Sequence, residues 1–240
     1  MGNLVLNSLE IHNFRAFHEL KIERLGRVNL IVGKNNVGKT SLLEAVQFYA
    51  HEIPCTFASS QGLSGERLIE LWDNIALTKL EADVLAVLRL LAPGLSNLNF
   101  VSTPLSGGER IPVVKVADNN ELFPLYSLGD GMLRALGISL ALVNAKDGIL
   151  LIDAFENGLY YTVQPDLWRL IFRVASRLNV QVFATTHSWD CIEAFQQASR
   201  SIQEVEGLLI RLESKKSGIV ATLYNARQLS IATREQIEVR

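Results

Sequence analysis

A glycine-rich stretch near the start of the sequence has the residue types that hold phosphate groups. Residues 33–40 read Gly-Lys-Asn-Asn-Val-Gly-Lys-Thr, which fits the spacing G-x-x-x-x-G-K-[ST]. Gly33 and Gly38 would let backbone N–H groups converge on a phosphate. Lys39 would reach the β- and γ-oxygens, and the hydroxyl of Thr40 would bind Mg²⁺. The residues predicted to contact the nucleotide here are Gly33, Lys34, Asn35, Asn36, Val37, Gly38, Lys39, Thr40 and Ser41.

Two more polar residues follow apolar stretches further along the chain. Asp153 comes directly after the apolar residues 149–152. A buried strand that ends in a carboxylate puts that group beside a nucleotide-bound metal, so Asp153 and Thr40 are the predicted Mg²⁺ ligands. His187 follows the apolar residues 180–184. We interpret it as a polar contact to the γ-phosphate, in preference to a structural histidine.

Two segments could place a serine and glycines against an anion. Residues 105–109 read Leu-Ser-Gly-Gly-Glu, but a strand pattern with Pro112 follows them, so we interpret them as a hairpin turn. Residues 127–131 read Ser-Leu-Gly-Asp-Gly and precede an apolar helical pattern. A helix N-terminus offers free N–H groups to an anion. The second segment is therefore the favoured site, with Ser127, Gly129, Asp130 and Gly131 as its predicted contacts.

The elements around these motifs alternate between strand and helix. This order predicts an α/β fold with a doubly wound sheet, whose ligands lie at the carboxyl ends of the strands. The expected strands are 5–11, 20–22, 28–32, 148–152 and 180–184, with a small sheet at 100–101, 111–116 and 121–125 and a closing hairpin at 208–212 and 219–224. The expected helices are 40–49, one or two within 68–91, 131–143 and 167–178.

Composition limits the possible classes of function. The 240 residues suit one large domain, and a formal charge of −2 provides no general attraction for nucleic acid, so any such contact must come from a local patch or a dimer groove. Two cysteines, Cys55 and Cys191, are too few and too isolated for a disulfide framework or a metal cluster. No apolar run approaches the roughly 18–20 residues of a membrane span. We expect a cytoplasmic protein.

The motifs in this order resemble the ABC-type ATPase heads of the AAA-15/AAA-21 group, which are related to DNA-repair and chromosome-maintenance proteins and to overcoming-lysogenisation-defect (OLD) proteins. The resemblance covers nearly the whole chain. It is carried by Asn13-Phe14-Arg15, the phosphate loop, and residues 71–75, 127–132, 152–161 and 185–188.

This resemblance implies a P-loop NTPase of the ABC type with mixed and parallel sheets. Its first lobe would comprise residues 1–55 and 145–240, and a helical lobe with the signature segment would comprise residues 56–144. ATP and Mg²⁺ would be the cofactors. Asn13 and Arg15 would lie near the nucleotide, Ser127 and Gly129 would reach the γ-phosphate across a homodimer, and Glu156-Asn157-Gly158 would form the D-loop. The Q-loop glutamine is ambiguous, with Gln61 favoured over Gln47.

One position departs from the family pattern. In these ATPases a glutamate that polarises the attacking water follows the aspartate, whereas this sequence has Ala154 after Asp153. Alanine cannot accept a proton, and loss of a general base predicts hydrolysis slower by about 10²- to 10⁴-fold. Two explanations stay open: an engineered Glu-to-Ala change that traps ATP in a closed dimer, and a natural homologue with poor hydrolysis. Glu156 is the alternative base.

The leading hypothesis is an ATPase that closes head-to-tail around two Mg-ATP and transmits closure to a partner protein or to nucleic acid, in DNA repair or phage defence. No nuclease segment follows the last expected strand, so we expect any nuclease or other effector to be a separate protein. The alternatives are a P-loop kinase for a small molecule, a non-catalytic ATP-dependent clamp, and the head of a membrane transporter. ATP-dependent dimerisation separates the head and the clamp from the kinase, and turnover separates the head from the clamp.

Overall fold

The computed structural model describes residues 4–102, 108–116, 122–216 and 218–239 of the chain. In chain order its strands are β1 (Leu9–Phe14), β2 (Phe17–Ile22), β3 (Val28–Gly33), β4 (Cys55–Ala58), β5 (Leu95–Ser102), β6 (Arg110–Val116), β7 (Leu122–Pro124), β8 (Ile149–Ile152), β9 (Gln181–Thr185), β10 (Gly207–Lys215) and β11 (Gly218–Tyr224). The helices are α1 (Lys39–Tyr49), α2 (Gly65–Asp73), α3 (Glu81–Leu91), α4 (Asp130–Asn144), α5 (Gln164–Arg177), α6 (Trp189–Ser201) and α7 (Ala226–Arg234).

A six-stranded sheet with the order β11-β10-β3-β9-β8-β4 forms the centre of the fold. Strands β10, β3, β9, β8 and β4 are parallel, and β11 pairs with β10 in antiparallel register. Every residue of β3, β8 and β9 is buried, as expected for parallel strands covered on both faces. The carboxyl ends of these three strands meet at one edge, which is where the sequence places its phosphate loop, Asp153 and His187.

The two faces of the central sheet pack against different elements. On one face, Leu30 and Val32 of β3 belong to an apolar cluster built mainly by helices α2 to α6. On the other face, Ile31 packs in a second cluster with residues of α1 and of the two-stranded β1–β2 sheet. The alternation of side chains along β3 therefore holds helix α1 and the β1–β2 sheet on one side and the remaining helices on the other.

A three-stranded antiparallel sheet, β5-β6-β7, lies beside helices α2 and α3. Helix α4 is the link between this part and the central sheet, since it contacts α2 and α3 as well as strands β4 and β8. Eleven of its residues are buried. No helix among the residues described combines the length and apolar character that crossing a membrane requires.

The α/β P-loop fold with mixed and parallel sheets is confirmed, although several element boundaries differ from the sequence prediction. The first strand begins at Leu9 rather than at residue 5. The helical region predicted at residues 68–91 consists of two helices, α2 and α3, and α2 begins three residues earlier, at Gly65. Strand β4 and helices α6 and α7 were not predicted. The two-lobe division stays a prediction, and β4 joins the central sheet across its proposed boundary at residue 55.

Two predicted features lie partly outside the described residues. Of the segment 105–109, the structure describes only Gly108 and Glu109, and β6 follows them as a strand that pairs with β5 in antiparallel register. Of the expected strand 121–125, residue 121 is also outside the described part, while residues 122–124 form β7. The strand pattern after residue 109 is thus present, as the interpretation of 105–109 as a turn requires.

Candidate functional site

The glycine loop joins the carboxyl end of β3 to the N-terminus of α1. Gly33 has φ +146° and Gly38 has φ +96°, which are backbone conformations that residues other than glycine rarely adopt. Space is limiting as well, because a Cβ at Gly33 would lie 2.5 Å from the carbonyl oxygen of Leu212, and one at Gly38 would lie 2.9 Å from the ring of Phe17. Both glycines are therefore required by conformation and by packing.

Lys39 is held back over the loop. Its ammonium group donates hydrogen bonds to the carbonyl oxygens of Gly33 at 2.7 Å and Lys34 at 2.9 Å, and the side chain is buried. Burial lowers the pKa of Lys39, while the nearby carboxylates of Asp153 and Glu156 act in the opposite direction. The loop thus carries a positive charge fixed beside the helix N-terminus, where an anion is favoured.

A cavity of about 540 Å³ opens over this loop. Its lining brings together the loop and the residue after β9, and it also includes Ala16 from the turn between β1 and β2. The lining residues are Ala16, Asn35, Asn36, Gly38, Lys39, Thr40, Ser41 and His187. The structure therefore places His187 at the same cavity as the phosphate loop.

The two predicted metal ligands face each other across the ends of β3 and β8. The hydroxyl of Thr40 lies 3.3 and 3.4 Å from the two carboxylate oxygens of Asp153. Thr185 fixes the carboxylate from the neighbouring strand by donating a hydrogen bond of 2.6 Å to its Oδ1 atom. A hydroxyl and a carboxylate are oxygen donors of the kind that Mg²⁺ prefers. Thr185 was missed by the sequence analysis.

Ala154 has its backbone fixed from both sides. Its N–H donates to Thr185 Oγ1 at 2.8 Å, and its carbonyl accepts from Arg134 at 2.9 Å. Its φ of +48° lies in the left-handed region, which is uncommon for a residue other than glycine. The position after Asp153 is thus rigidly held, but the methyl group offers nothing that binds or orients a water molecule.

Glu156 connects the end of β8 to the residues that follow β9. One carboxylate oxygen accepts a hydrogen bond from the hydroxyl of Thr186, and the other accepts one from the backbone N–H of His187, both at 2.8 Å. Burial, followed by the charge of Lys39, lowers the pKa of His187, which favours the neutral form of its ring. Because both oxygens of Glu156 are engaged, this carboxylate acts in the structure as a support for His187.

Arg134 is a buried residue of the site that the sequence analysis did not identify. It projects from α4 and donates hydrogen bonds to the carbonyl oxygens of Ser59, Asp153 and Ala154. The helix that follows the signature segment is thereby tied to the end of the metal-binding strand. The sequence signal was an arginine within a mainly apolar helix, but its three carbonyl partners in distant segments could not be predicted from it.

The predicted signature segment lies apart from the phosphate cavity of the same chain. Residues 126–130 are all exposed, and none of residues 127–131 is among the described residues that line that cavity. Helix α4 begins at Asp130 after Gly129, with no side-chain cap at its N-terminus, and Ser127 donates to the carbonyl of Pro124. Gly131 touches the D-loop, since a Cβ there would lie 2.7 Å from the carbonyl oxygen of Gly158.

The remaining predicted contacts occupy less direct positions. Asn13 near the end of β1 and Arg15 in the turn that follows both have positive φ, and Arg15 pairs with Glu44 of α1 at 3.0 Å. The described cavity lining includes neither of them, although it includes Ala16 between β1 and β2. Gln47 is exposed on α1, and Gln61 lines a separate cavity of about 330 Å³ beside Arg134. Their roles stay predictions.

The residues at the phosphate loop fit a magnesium nucleotide. Lys39 supplies a buried positive charge, the glycines leave room for close approach to the backbone, and Thr40 with Asp153 supplies two oxygen donors 3.3 Å apart. These groups follow the carboxyl ends of β3 and β8, parallel strands that flank β9, which is the usual ligand position in this class of sheet. The fold and the site define a P-loop nucleotide-binding protein.

Two family models match the chain. One, described as "AAA ATPase domain", matches residues 5–57, and another, described as "AAA domain, putative AbiEii toxin, Type IV TA system", matches residues 104–190. The first match contains the phosphate loop, and the second contains Asp153 and His187. Together they cover more than half of the chain.

Among curated proteins, an ATP/GTP phosphatase of Helicobacter pylori is 29% identical over 123 residues, which is 50% of this chain and 27% of that protein. A DNA replication and repair protein RecF of Francisella tularensis subsp. mediasiatica is 40% identical over 58 residues, 24% of this chain and 16% of that protein. The chain thus spans only a small part of the curated relatives' length.

Among solved structures, an SMC head bound to the C-winged helix domain of ScpA superposes with a TM-score of 0.64 at 10% identity, covering 91% of this chain and 97% of that one. At this identity the likeness shows the fold alone. The two family matches confirm the predicted resemblance to the ABC-type ATPase heads of the AAA-15/AAA-21 group, and the superposition shows the same fold.

Proposed function

We propose that this chain binds ATP with Mg²⁺ on the loop at residues 33–41 and closes head-to-tail with a second copy. Each copy would complete the other's site with the segment 127–131. The observation that carries this proposal is the separation of the phosphate loop from the segment 127–131. The N-terminus of α4 in that segment has no side-chain cap, is exposed, and lies away from the phosphate cavity of its own chain. A helix N-terminus of this kind suits a phosphate presented by another molecule.

Exposed aromatic and apolar side chains flank this segment. Tyr126 and Leu128 precede helix α4, and Tyr160 and Tyr161 follow the D-loop, which Gly131 contacts. Tyr160 is 66% exposed and stacks at an angle on Tyr161, with ring centroids 4.6 Å apart. Tyrosine rings are favoured at protein interfaces because they add apolar contact area and a hydrogen-bonding group. Their position supports an opposing copy at this surface.

The proposed roles of the site residues follow from their contacts. Lys39 and the loop N–H groups would bind the phosphates, and Thr40 and Asp153 would hold Mg²⁺, with Thr185 fixing the carboxylate. Mg-ATP would supply the phosphoanhydride bond and the charge of the metal. His187, held by Glu156, would contact the γ-phosphate as a hydrogen-bonding group. Asn13, from the end of β1, and Arg15, from the turn beside Ala16, would lie near the nucleotide.

Hydrolysis should be slow in this chain. Ala154 has no proton acceptor, and the carboxylate oxygens of Glu156 are already engaged by Thr186 and His187. ATP would then act mainly to hold two copies together. A clamp that binds ATP without turnover is the second candidate function, and Ala154 is the observation that favours it.

The closed dimer would act on a partner. The relatives include RecF, a DNA replication and repair protein, and the solved SMC head is bound to a domain of ScpA. These likenesses support coupling to a separate effector protein, such as a nuclease, or to nucleic acid. The proposed setting is DNA repair or phage defence in the cytoplasm, the latter resting on family resemblance.

The test is the mass of the protein in solution with and without Mg-ATP. We expect a monomer without nucleotide and a persistent dimer with it. In the Ala154→Glu variant, phosphate release should rise by about 10²- to 10⁴-fold, the typical contribution of a general base, and the dimer should become transient. Nucleotide binding without any change in mass would contradict the head-to-tail proposal. Rapid turnover by the chain with Ala154 would contradict the role assigned to that position.

A further inference from the structure

A cavity of about 750 Å³ lined by three arginines lies at the other end of the central sheet from the phosphate loop. It is formed by the end of α6, the start of β10 and helix α7, with Arg200, Arg227 and Arg234 in its lining. Gly207, also in the lining, pairs with Val28 at the amino end of β3. The phosphate loop follows the opposite end of β3, about 17 Å away at roughly 3.3 Å per residue.

The charge of this cavity is only partly neutralised by the chain. Arg234 contacts Glu235 at 2.9 Å, and Glu206 in the lining is paired with Arg24. The guanidinium groups of Arg200 and Arg227, in contrast, have no hydrogen bond or ion pair with any of the residues that the structure describes. Two exposed guanidinium groups at one cavity therefore lack an internal partner.

The placement of Arg227 is unfavourable for the stability of its own helix. It lies in the first turn of α7, where no acidic residue is present. The helix dipole disfavours a cation at a helix N-terminus, and no carboxylate among the described residues pairs with Arg227. The charge of Arg227 therefore has no evident structural role within the described chain, whereas a bound external anion would pair with it.

The spacing along α7 fits a series of anions. Arg227 and Arg234 are seven residues apart, so they lie on nearly the same face, about 10.5 Å from each other along the axis. Side chains this far apart can contact different phosphates of one strand. Arg200 approaches from α6, across the cavity. Ser199, Gln203, Asn225 and Ser230 add polar groups to the lining.

We propose that this arginine cavity binds the phosphate groups of a nucleic-acid strand. Arginine suits this task because its planar guanidinium donates paired hydrogen bonds to phosphate oxygens. The formal charge of −2 provides no general field for nucleic acid, so attraction must be local, and this cavity supplies it. Binding here does not depend on the proposed dimer, because all three arginines belong to one chain.

The experiment measures binding of a fluorescein-labelled 20-nucleotide poly-dT by anisotropy, without ATP, between 50 and 200 mM NaCl. In the double variant Arg200→Ala/Arg227→Ala we expect affinity at least about 10-fold weaker at the lowest salt. The slope of log affinity against log salt should become shallower by about 1.4, which is 0.7 for each lost phosphate contact to a single strand. The charge-retaining variant Arg200→Lys/Arg227→Lys should keep most of the slope.

The matched control is Lys79→Ala/Arg173→Ala, which removes two exposed charges outside the cavity. It should leave both affinity and slope within about twofold of the parent. Equal losses in the two double variants would overturn the proposal, as would absence of binding by the parent. Circular dichroism confirms that each variant is folded, which is expected because the replaced side chains are exposed.

Two further arms identify the source of the phosphate and the location of the site. Inorganic tripolyphosphate should displace the oligonucleotide only weakly, and equal or tighter binding of tripolyphosphate would replace the nucleic-acid proposal by a small-anion site. The Lys39→Ala variant should bind the oligonucleotide as the parent does. Loss of binding in that variant would place the strand at the phosphate loop and contradict the proposal. None of these results depends on whether ATP drives dimerisation.

Discussion

The loop at residues 33–41 and the segment at residues 127–131 both lead into the N-terminus of a helix, yet their surroundings differ. In the loop, Lys39 is buried and bonded to two carbonyl groups, and Gly33 and Gly38 have no room for a side chain. In the segment, residues 127–130 are exposed, and a Cβ at Gly129 would meet nothing within 4 Å. The fold of one chain shapes the first helix N-terminus and leaves the second open.

This contrast indicates that the loop 33–41 and the segment 127–131 contribute to phosphate binding in different ways. A tightly packed loop with a fixed charge is prepared to bind phosphate within one chain. The exposed, uncapped N-terminus of α4 can bind a phosphate only when another molecule presents it. Arg134 connects the two, because it belongs to the helix of the open segment and holds the carbonyl groups of Asp153 and Ala154. Variants that separate the two halves test this division.

The largest expected effect is on ATP binding at the phosphate loop, residues 33–41, which is called the loop half below. Lys39→Ala removes the charged donor of the loop, and loss of charge-assisted hydrogen bonds worth about 3 kcal/mol predicts ATP binding weaker by roughly 100-fold. Titration calorimetry measures it, and the dimer should be lost as well. Lys79→Ala, an exposed lysine outside the loop, serves as the control and should bind ATP like the parent. Unchanged affinity in Lys39→Ala would contradict the assignment of the phosphate site.

The next largest effect is on dimerisation through the exposed segment 127–131, which is called the open half below. In Gly131→Ala the new methyl group would lie 2.7 Å from the carbonyl of Gly158, so the segment and the D-loop must move apart. Overpacking of this kind costs about 1–3 kcal/mol, which predicts a dimer weaker by about 10-fold or more. ATP affinity of the monomer should stay within about threefold of the parent, since the loop is untouched.

Gly137→Ala provides a control in the same helix. Its new methyl group would have its nearest neighbour at 3.6 Å, an ordinary contact distance. We expect it to dimerise like the parent and to be slightly more stable, because alanine favours a helix interior over glycine by about 1 kcal/mol. Sedimentation with and without Mg-ATP measures both variants. Equal dimerisation of Gly131→Ala and Gly137→Ala would show that the segment and D-loop are not at the interface.

The smallest effect concerns the link between the halves. Arg134→Lys keeps the charge, but one ammonium group cannot reproduce the fork that spans the carbonyls of Ser59, Asp153 and Ala154. A loss of about 1 kcal/mol predicts a fall in Tm of about 2–4 °C for a chain of this length. Arg173→Lys, at an exposed position, should leave Tm unchanged. A Tm for Arg134→Lys equal to that of the parent would remove this link from the account.

The parts of the site that were predictable are those carried by neighbouring residues in sequence. The spacing of the glycine loop after an apolar strand, and the carboxylate at the end of the next buried strand, are local signals that identify their own structural setting. The placement of His187 at the phosphate cavity followed from the same logic of strand ends. The α/β fold class followed from the order of the elements.

The parts that were missed depend on contacts between distant segments. Nothing local shows that Arg134 meets carbonyl groups from residues 59, 153 and 154, or that Thr185 fixes Asp153. Strand β4 is short, and its role as the edge of the central sheet is set by pairing with β8. Helix α7 has a capping box at Asn225 and Gln228, a sequence signal that was present and went unused.

The most direct test of the head-to-tail account mixes two defective chains. Lys39→Ala damages the loop half, and Gly131→Ala damages the open half. If each nucleotide lies between the loop of one copy and the segment of another, a mixed dimer contains one intact site, so mixing should restore an ATP-dependent dimer with one nucleotide for two chains. If both halves act within the same chain, each chain stays defective. A mixture that dimerises no better than the two variants alone would contradict the account.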